Sequence, residues 1–151
     1  MPLFAGQSRI ELRRMYLEAW RKFRAQQALE PLEAQIAAVI AEHPEYVPWL
    51  ESGESAVAAE FSPESGRQNP FLHMGLHLAI REQVATDRPR GVARVHRELS
   101  ELLGDLHAAE HAMLERLAET LWEAQRSDTP PDEQLYLQRL QELASRRVHR
   151  E

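Results

Sequence analysis

Hydrophobic residues recur at the three- and four-residue spacing of amphipathic helices over most of the chain. A capping box at 8–11 predicts the start of a first helix that continues to about Gln27. The apolar stripe of this helix consists of Leu12, Met15, Tyr16, Ala19, Trp20 and Phe23. Pro31 suits the first turn of a second helix, which should end at His43–Pro44.

Turn-forming residues dominate the stretch from about residue 51 to residue 69 and predict a long connection. A short turn of helix is expected at Tyr46–Leu50, before this connection, and a brief alanine-rich helical segment is expected inside it. Loops of this length inside compact domains are often functional, so this connection could cover a site.

A short apolar helix follows, and the rest of the fold is predicted to be built around it. Asn69 is a suitable N-cap, Pro70 fits the first helical position, and the helix should run to about Asp87. Its apolar face comprises Leu72, Leu76, Ala79, Ile80 and Val84. His73 and His77 lie on that side and are therefore expected to point inward.

The chain after this helix permits two interpretations. Gly104 and Asp105 resemble a helix-ending glycine followed by a new N-cap, but a single kinked helix over 91–126 also fits the pattern. The segment 106–126 should bury Leu114, Leu117, Leu121 and Trp122. A last helix should end near Arg146, before a frayed tail at about 147–151.

Composition agrees with an all-α fold, because Ala, Leu, Glu, Arg and Gln are abundant and strand formers are scarce. We expect a single domain, a compact helical bundle of five to seven helices, since 151 residues suffice for one core. The first residues contain no apolar signal region and no stretch is long enough to span a membrane, so we expect a cytoplasmic protein. The net charge of -6 argues against nucleic-acid binding and leaves a protein partner or a homo-oligomer open.

Four of the seven histidines form two pairs spaced four residues apart, His73 with His77 and His107 with His111. Residues at this spacing share one helix face, so each pair can direct two ring nitrogens at one point. Because the chain has no cysteine, a metal site would use imidazole and carboxylate ligands, which zinc, nickel and iron accept. The two pairs can share one ion only if the chain turns at or near Gly104–Asp105.

Other interpretations of these residues stay open. The histidines could be neutral packing residues, and carboxylates could join or replace them in a metal site; the carboxylates in question are Glu60, Glu64, Glu110 and Glu115. The segment HAAEH at 107–111 also fits the HxxEH pattern of a zinc protease class, in which Glu110 would be the general base. The Glu-x-x-His motif of di-iron bundles does not occur.

A non-catalytic interaction or scaffold protein is the alternative from a different functional class. Arginines flank the first helix and either form a solvated face or bind an anion or a partner; they are Arg9, Arg13, Arg14, Arg21 and Arg24. His43 is expected at a helix end, where it meets backbone carbonyls and the helix dipole rather than a metal. His96 is expected to be exposed.

Three long blocks carry a family resemblance. LEPLEAQIAAVIAEHPEY, NPFLHMGLHLAIREQVATDRP and HAAEHAMLERLAETLWEAQR resemble a bacterial family known as domain of unknown function 1841, and together they span most of the chain. The resemblance implies no activity and transfers no functional residue. The metal hypothesis therefore rests on histidine spacing.

Overall fold

The structure, a computed structural model, describes residues 9–59 and 69–149, with side chains described as far as residue 145. Within these ranges every regular element is helical, which confirms the all-α prediction. The α-helices are α1 (Arg9–Arg24), α2 (Pro31–Ala41), α3 (Val47–Leu50), α4 (Glu54–Ala58), α5 (Pro70–Thr86), α6 (Val92–Leu103), α7 (Leu106–Ser127) and α8 (Glu133–His149). A 3₁₀ turn, Pro44–Tyr46, precedes α3.

The described residues hold eight α-helices, so the expected number of five to seven is wrong. The two shortest, α3 and α4, contain four and five residues, too few for a repeating apolar stripe. Helices of this length are unstable alone and depend on tertiary contacts. Buried side chains supply these contacts, namely Leu50, Ala56 and Val57.

Helix α4 lies inside the long connection expected at 51–69 and confirms the brief alanine-rich helical segment expected there. Residues 60–68, which include Glu60 and Glu64, lie outside the described residues, as does the start of the capping box at residue 8. Contacts group the chain into two compact units, Met1–Met74 and Gly75–Glu151, with the boundary inside α5. The single domain stays a prediction.

In the first unit, α1 packs against α2 and α4. Its buried apolar residues are Tyr16, Ala19, Ile36, Ala37, Val39, Ile40, Leu50, Ala56, Val57, Phe71 and Met74. The Phe71 ring meets Tyr16 edge-on with centroids 5.4 Å apart and contacts Trp49 at 4.9 Å. Leu72, expected on the apolar face of α5, is instead 60% exposed, because the neighbouring Phe71 faces the core.

Arg13 fastens α1 to the end of α4. It was expected on a solvent-facing flank, but it is buried. Its Nη1 donates to the carbonyl oxygens of Val57 at 2.9 Å and Ala59 at 2.6 Å, and its guanidinium lies 5.0 Å from the centroid of Phe71. Burial, with a smaller contribution from Arg9, lowers the pKa of Arg13. This arginine therefore has a structural role at the last carbonyls of a short helix, which need donors from outside the helix.

In the second unit, α6, α7 and α8 pack against one another. The core also includes α5 residues and consists of Leu76, Ile80, Val92, Val95, Leu99, Ala109, Met113, Leu114, Leu117, Tyr136, Leu140 and Ala144. Leu121 and Trp122 were expected inside but are 39% and 56% exposed. Trp122 lies about half a turn around α7 from the buried Met113, and Arg126 covers its ring at 4.7 Å.

In the described part of the chain, no helix is both long enough and apolar enough to cross a membrane.

Candidate metal centre

The start of α5 follows the predicted cap. Asn69 Oδ1 accepts hydrogen bonds from the backbone N–H of Phe71 at 3.0 Å and of Leu72 at 3.3 Å. Such bonds satisfy backbone donors that have no partner inside the first turn of a helix. They fix the start of the helix and so place His73 and His77 on its successive turns.

The chain breaks between α6 and α7, which decides between the two interpretations of this region. Gly104 ends α6 with a φ of +67°, where a Cβ would meet no heavy atom within 4 Å, so glycine is required there for its backbone conformation rather than for space. Asp105 is the N-cap of α7, and its side chain accepts from the backbone N–H of His107 at 3.0 Å. The break sets the position of His107 and, one turn later, of His111.

The rings of His77, His107 and His111 lie close together in the second unit. Their centroids are 5.4 Å apart for His77 and His107, 6.0 Å for His77 and His111, and 6.5 Å for His107 and His111. Two imidazoles on one tetrahedral ion, with bonds of about 2.0–2.1 Å, place their centroids about 5 Å apart. The separation of His77 and His107 comes nearest to this value, and a ring nitrogen of His77 lies within 4.8 Å of a ring nitrogen of His107.

The three histidines extend from the core to the surface. His77 is fully buried, at 0% exposure, whereas His107 is exposed and the His111 side chain is 45% exposed. An ion held by His77 and His107 would therefore be anchored in the core and reachable from solvent.

Glu110 anchors the buried end of this cluster. Its Oε1 lies 2.6 Å from Nδ1 of His77, and Nε of Arg81 donates to both of its oxygens at 3.1 Å. Burial alone would raise the pKa of Glu110, but the hydrogen bonds from His77 and Arg81 outweigh it and hold the pKa below its usual value. Glu110 is therefore an anion, although it is only 8% exposed.

The ionised Glu110 determines how the His77 ring is protonated. An ionised carboxylate only accepts hydrogen bonds, so Nδ1 of His77 must carry the proton. In the neutral ring, Nε2 then carries the lone pair that a metal requires. Histidine ligands of metal ions commonly donate their other ring N–H to a carboxylate in this way.

Arg81 was not among the predicted site residues. It lies one helical turn after His77, so the i,i+4 spacing that pairs His73 with His77 also puts Arg81 on that side of α5. Arg81 neutralises Glu110 and helps to keep the carboxylate in place. Sequence spacing could have indicated Arg81, but its contact with Glu110 depends on how α5 and α7 pack.

The other predicted residues have different surroundings. Glu115 is exposed, and its Oε1 lies 3.7 Å from Nδ1 of His111, which is too long for a hydrogen bond. His96 is half-buried rather than exposed. Burial lowers the pKa of His96, and the charge of Glu110 opposes this effect.

His73 belongs to the first unit, where it meets two other rings. Its centroid is 5.2 Å from that of His43 and 6.2 Å from that of Tyr46, both edge-on. The participation of His73 in a four-histidine set stays a prediction.

Comparison with protein families gave one finding. The family model described as domain of unknown function (DUF1841) matches residues 8–142, which is most of the chain. The comparisons of this chain with curated proteins and with solved structures gave no match.

Proposed function

This chain belongs to the family described as domain of unknown function (DUF1841), and we propose that it is a small cytoplasmic helical-bundle protein that binds a divalent transition metal. The proposed ligands are His77, His107 and His111, together with His73 on the preceding turn of α5. The description of the family assigns no activity, so the proposal rests on the residues of the candidate centre.

The hydrogen bond between His77 and Glu110 is the observation that carries the proposal. It holds a fully buried imidazole in one orientation, in which the neutral ring has its lone pair on Nε2. A histidine that served only to fill the core would need no ionised carboxylate, because burying that charge costs free energy. The rings of His107 and His111 near His77 then supply further nitrogen ligands.

The donor set favours metals that accept imidazole, and zinc, nickel and iron all do so. The exposed His107 leaves one side of the proposed ion open to solvent or to a small ligand. Glu110 is engaged by His77 and Arg81, which supports an orienting role over the role of general base in the HxxEH pattern. No reaction is assigned.

Elemental analysis of protein purified without a metal-affinity tag tests the proposal. We expect about one zinc, nickel or iron ion per chain and a rise in melting temperature on adding that metal, since a ligand that binds only the folded state stabilises it. The control replaces all four histidines with alanine and should lose both effects. Less than about 0.1 ion per wild-type chain, with no thermal shift, would overturn the proposal.

A second candidate, an interaction protein, is favoured by a groove in the first unit. The groove has a volume of about 810 Å³, and its lining includes Leu17, Trp20 and Leu50 together with arginine and glutamate side chains. Phe23 stacks on Trp20 with centroids 5.3 Å apart and is 45% exposed. Large exposed apolar side chains beside a groove are typical of protein contacts.

Self-association is the version of this candidate that can be tested directly. Light scattering would report twice the chain mass of 17.4 kDa for a dimer. Substituting Phe23→Ser should return the protein to a monomer if this surface forms the contact. A monomeric wild-type protein would exclude this version.

A further inference from the structure

His43 and His73 form a second pair of adjacent imidazoles, within the unit Met1–Met74. Their ring centroids are 5.2 Å apart with an interplanar angle of 81°. This separation matches the value of about 5 Å for two imidazoles on one tetrahedral ion. It is also shorter than any separation among His77, His107 and His111.

The His43 ring is held in a fixed orientation. It is 4% exposed, follows the end of α2, and its Nδ1 lies 2.8 Å from the carbonyl oxygen of Val39. Tyr46 stacks on the ring with centroids 5.4 Å apart and planes 3° from parallel. The 3₁₀ turn Pro44–Tyr46 thus places an aromatic ring where it restricts His43.

The Val39 contact determines the tautomer of His43. A backbone carbonyl only accepts hydrogen bonds, so Nδ1 of His43 must be the donor. In the neutral ring the lone pair therefore resides on Nε2. Metal-binding histidines commonly donate their other ring N–H to a backbone carbonyl or a carboxylate. His43 and His77 both have Nδ1 held by such an oxygen, which leaves Nε2 available for a metal.

We infer that His43 is a ligand of a divalent transition metal together with His73. The inference rests on the proposed function, because His73 is one of the proposed ligands. It changes the role expected from sequence, in which His43 meets carbonyls at a helix end: the carbonyl contact is present, and it serves to orient a ligand.

Substituting His43→Asn separates ligation from packing. The asparagine side-chain amide can reach Val39 O from about the position of Nδ1, but it has no nitrogen at the position of Nε2. The matched control is Tyr46→Leu, which removes the stacked ring and disturbs the packing of His43 while keeping its nitrogens. Both variants are made in the full chain without a metal-affinity tag.

Zinc affinity, measured by competition with a chromophoric chelator, is the first readout. We expect His43→Asn to weaken zinc binding at least about tenfold. Losing a residue that only hydrogen-bonds a metal ligand already costs about 10–100-fold, so losing a ligand should cost no less. Tyr46→Leu should weaken binding by clearly less. The visible absorption of bound Co²⁺, which reports the ligand set, should change in His43→Asn and not in Tyr46→Leu.

The outcomes distinguish this inference from the proposed function. If the wild-type chain binds none of zinc, nickel, iron and cobalt, the proposed function fails. If the wild-type chain binds metal, and His43→Asn retains its affinity and cobalt spectrum, the role of His43 is overturned while the proposed function stands.

A measurement on the wild-type chain covers the case in which His43→Asn does not fold. Histidine labelled with ¹⁵N gives long-range proton–nitrogen NMR signals for both ring nitrogens. Zinc should shift the Nε2 signal of His43 and leave its Nδ1 protonated. An unchanged Nε2 signal at saturating zinc would overturn the inference.

Discussion

A buried carboxylate stays ionised only where donors and positive charge surround it. Glu110 has both, from the His77 ring and the Arg81 guanidinium. The same contacts restrict the rotation of the His77 ring. At the scale of single residues, the stability of this charge and the orientation of the proposed ligand therefore depend on the same contacts.

Replacing the Glu110 carboxylate with an amide tests this coupling. Glu110→Gln keeps the size of the side chain but removes its charge, so we expect zinc affinity to fall about 10–100-fold, the range for loss of an outer partner of a ligand. Glu115→Gln, the same change at an exposed position, should leave zinc affinity nearly unchanged. Chelator competition measures both, and equal affinities in the two variants would contradict the role of Glu110.

Adjacent arginines on α1 offer a second test at this scale. Arg13 is buried and donates to two carbonyls, whereas Arg14 forms an exposed ion pair with Glu54 at 3.1 Å. We expect Arg13→Gln to lower the free energy of unfolding by about 1–3 kcal/mol, because buried acceptors lose a charged donor. Arg14→Gln should cost less than about 1 kcal/mol.

Urea unfolding measures the two arginine variants. Because the substitution is the same, the difference between them reports burial rather than residue type. Equal costs would show that the contacts of Arg13 with Val57 and Ala59 do not hold α4.

At the scale of helices, the start of α7 positions His107. Asp105→Ala should lower the free energy of unfolding by about 0.5–2 kcal/mol, because the first turn loses its cap. Asp105→Asn retains a side-chain acceptor and should cost much less. If the cap also positions the ligand, zinc affinity should fall in Asp105→Ala and be kept in Asp105→Asn; equal stability of the two variants in urea would contradict the capping role.

The glycine before this cap allows a separate test of backbone conformation. Gly104 and Gly53 both have a φ of +67° and open space at the Cβ position. Gly104 is left-handed helical, with a ψ of 20°, so alanine there should cost about 1–2 kcal/mol. Gly53 combines the same φ with a ψ of -119°, a conformation that favours glycine more strongly, so alanine should cost more at Gly53 than at Gly104. Urea unfolding measures both costs, and a larger cost at Gly104 would show a contact beyond backbone conformation.

Helix boundaries were predictable wherever the chain carries its own stop and start signals. Asn69 with Pro70 and Gly104 with Asp105 act through local backbone geometry, so their meaning does not depend on the rest of the fold. The short helices α3 and α4 have too few turns for periodicity, so only their approximate positions were predicted, and tertiary contacts hold them. The buried role of Arg13 also depends on tertiary contacts and could not be predicted from local sequence, because its carbonyl partners lie 44 and 46 residues away.

The candidate site was predictable only as pairs of residues on single helices. His107 and His111 share α7, but the contact of His77 with Glu110 joins residues 33 positions apart. Such a contact depends on how α5 and α7 are rotated when Ile80 and Met113 pack into one core. Spacing within a helix contains no information on that rotation.

At the scale of the whole molecule, a bound metal should raise the stability of the folded chain. Metal present at 100 times its dissociation constant contributes about 2.7 kcal/mol, if it does not bind the unfolded chain. For a chain of this size about 1 kcal/mol corresponds to roughly 2–4 °C, so the melting temperature should rise by about 5–10 °C.

Calorimetry with and without zinc measures this shift. A chelator should reverse it, and a variant with His77→Ala and His107→Ala should not show it. The double variant leaves His43 and His73 intact, and a shift that persists in it would contradict the proposed role of His77 and His107. The shift must vanish in the double variant if zinc stabilises the fold through the second-unit histidines, because His77 and His107 are the closest pair among them.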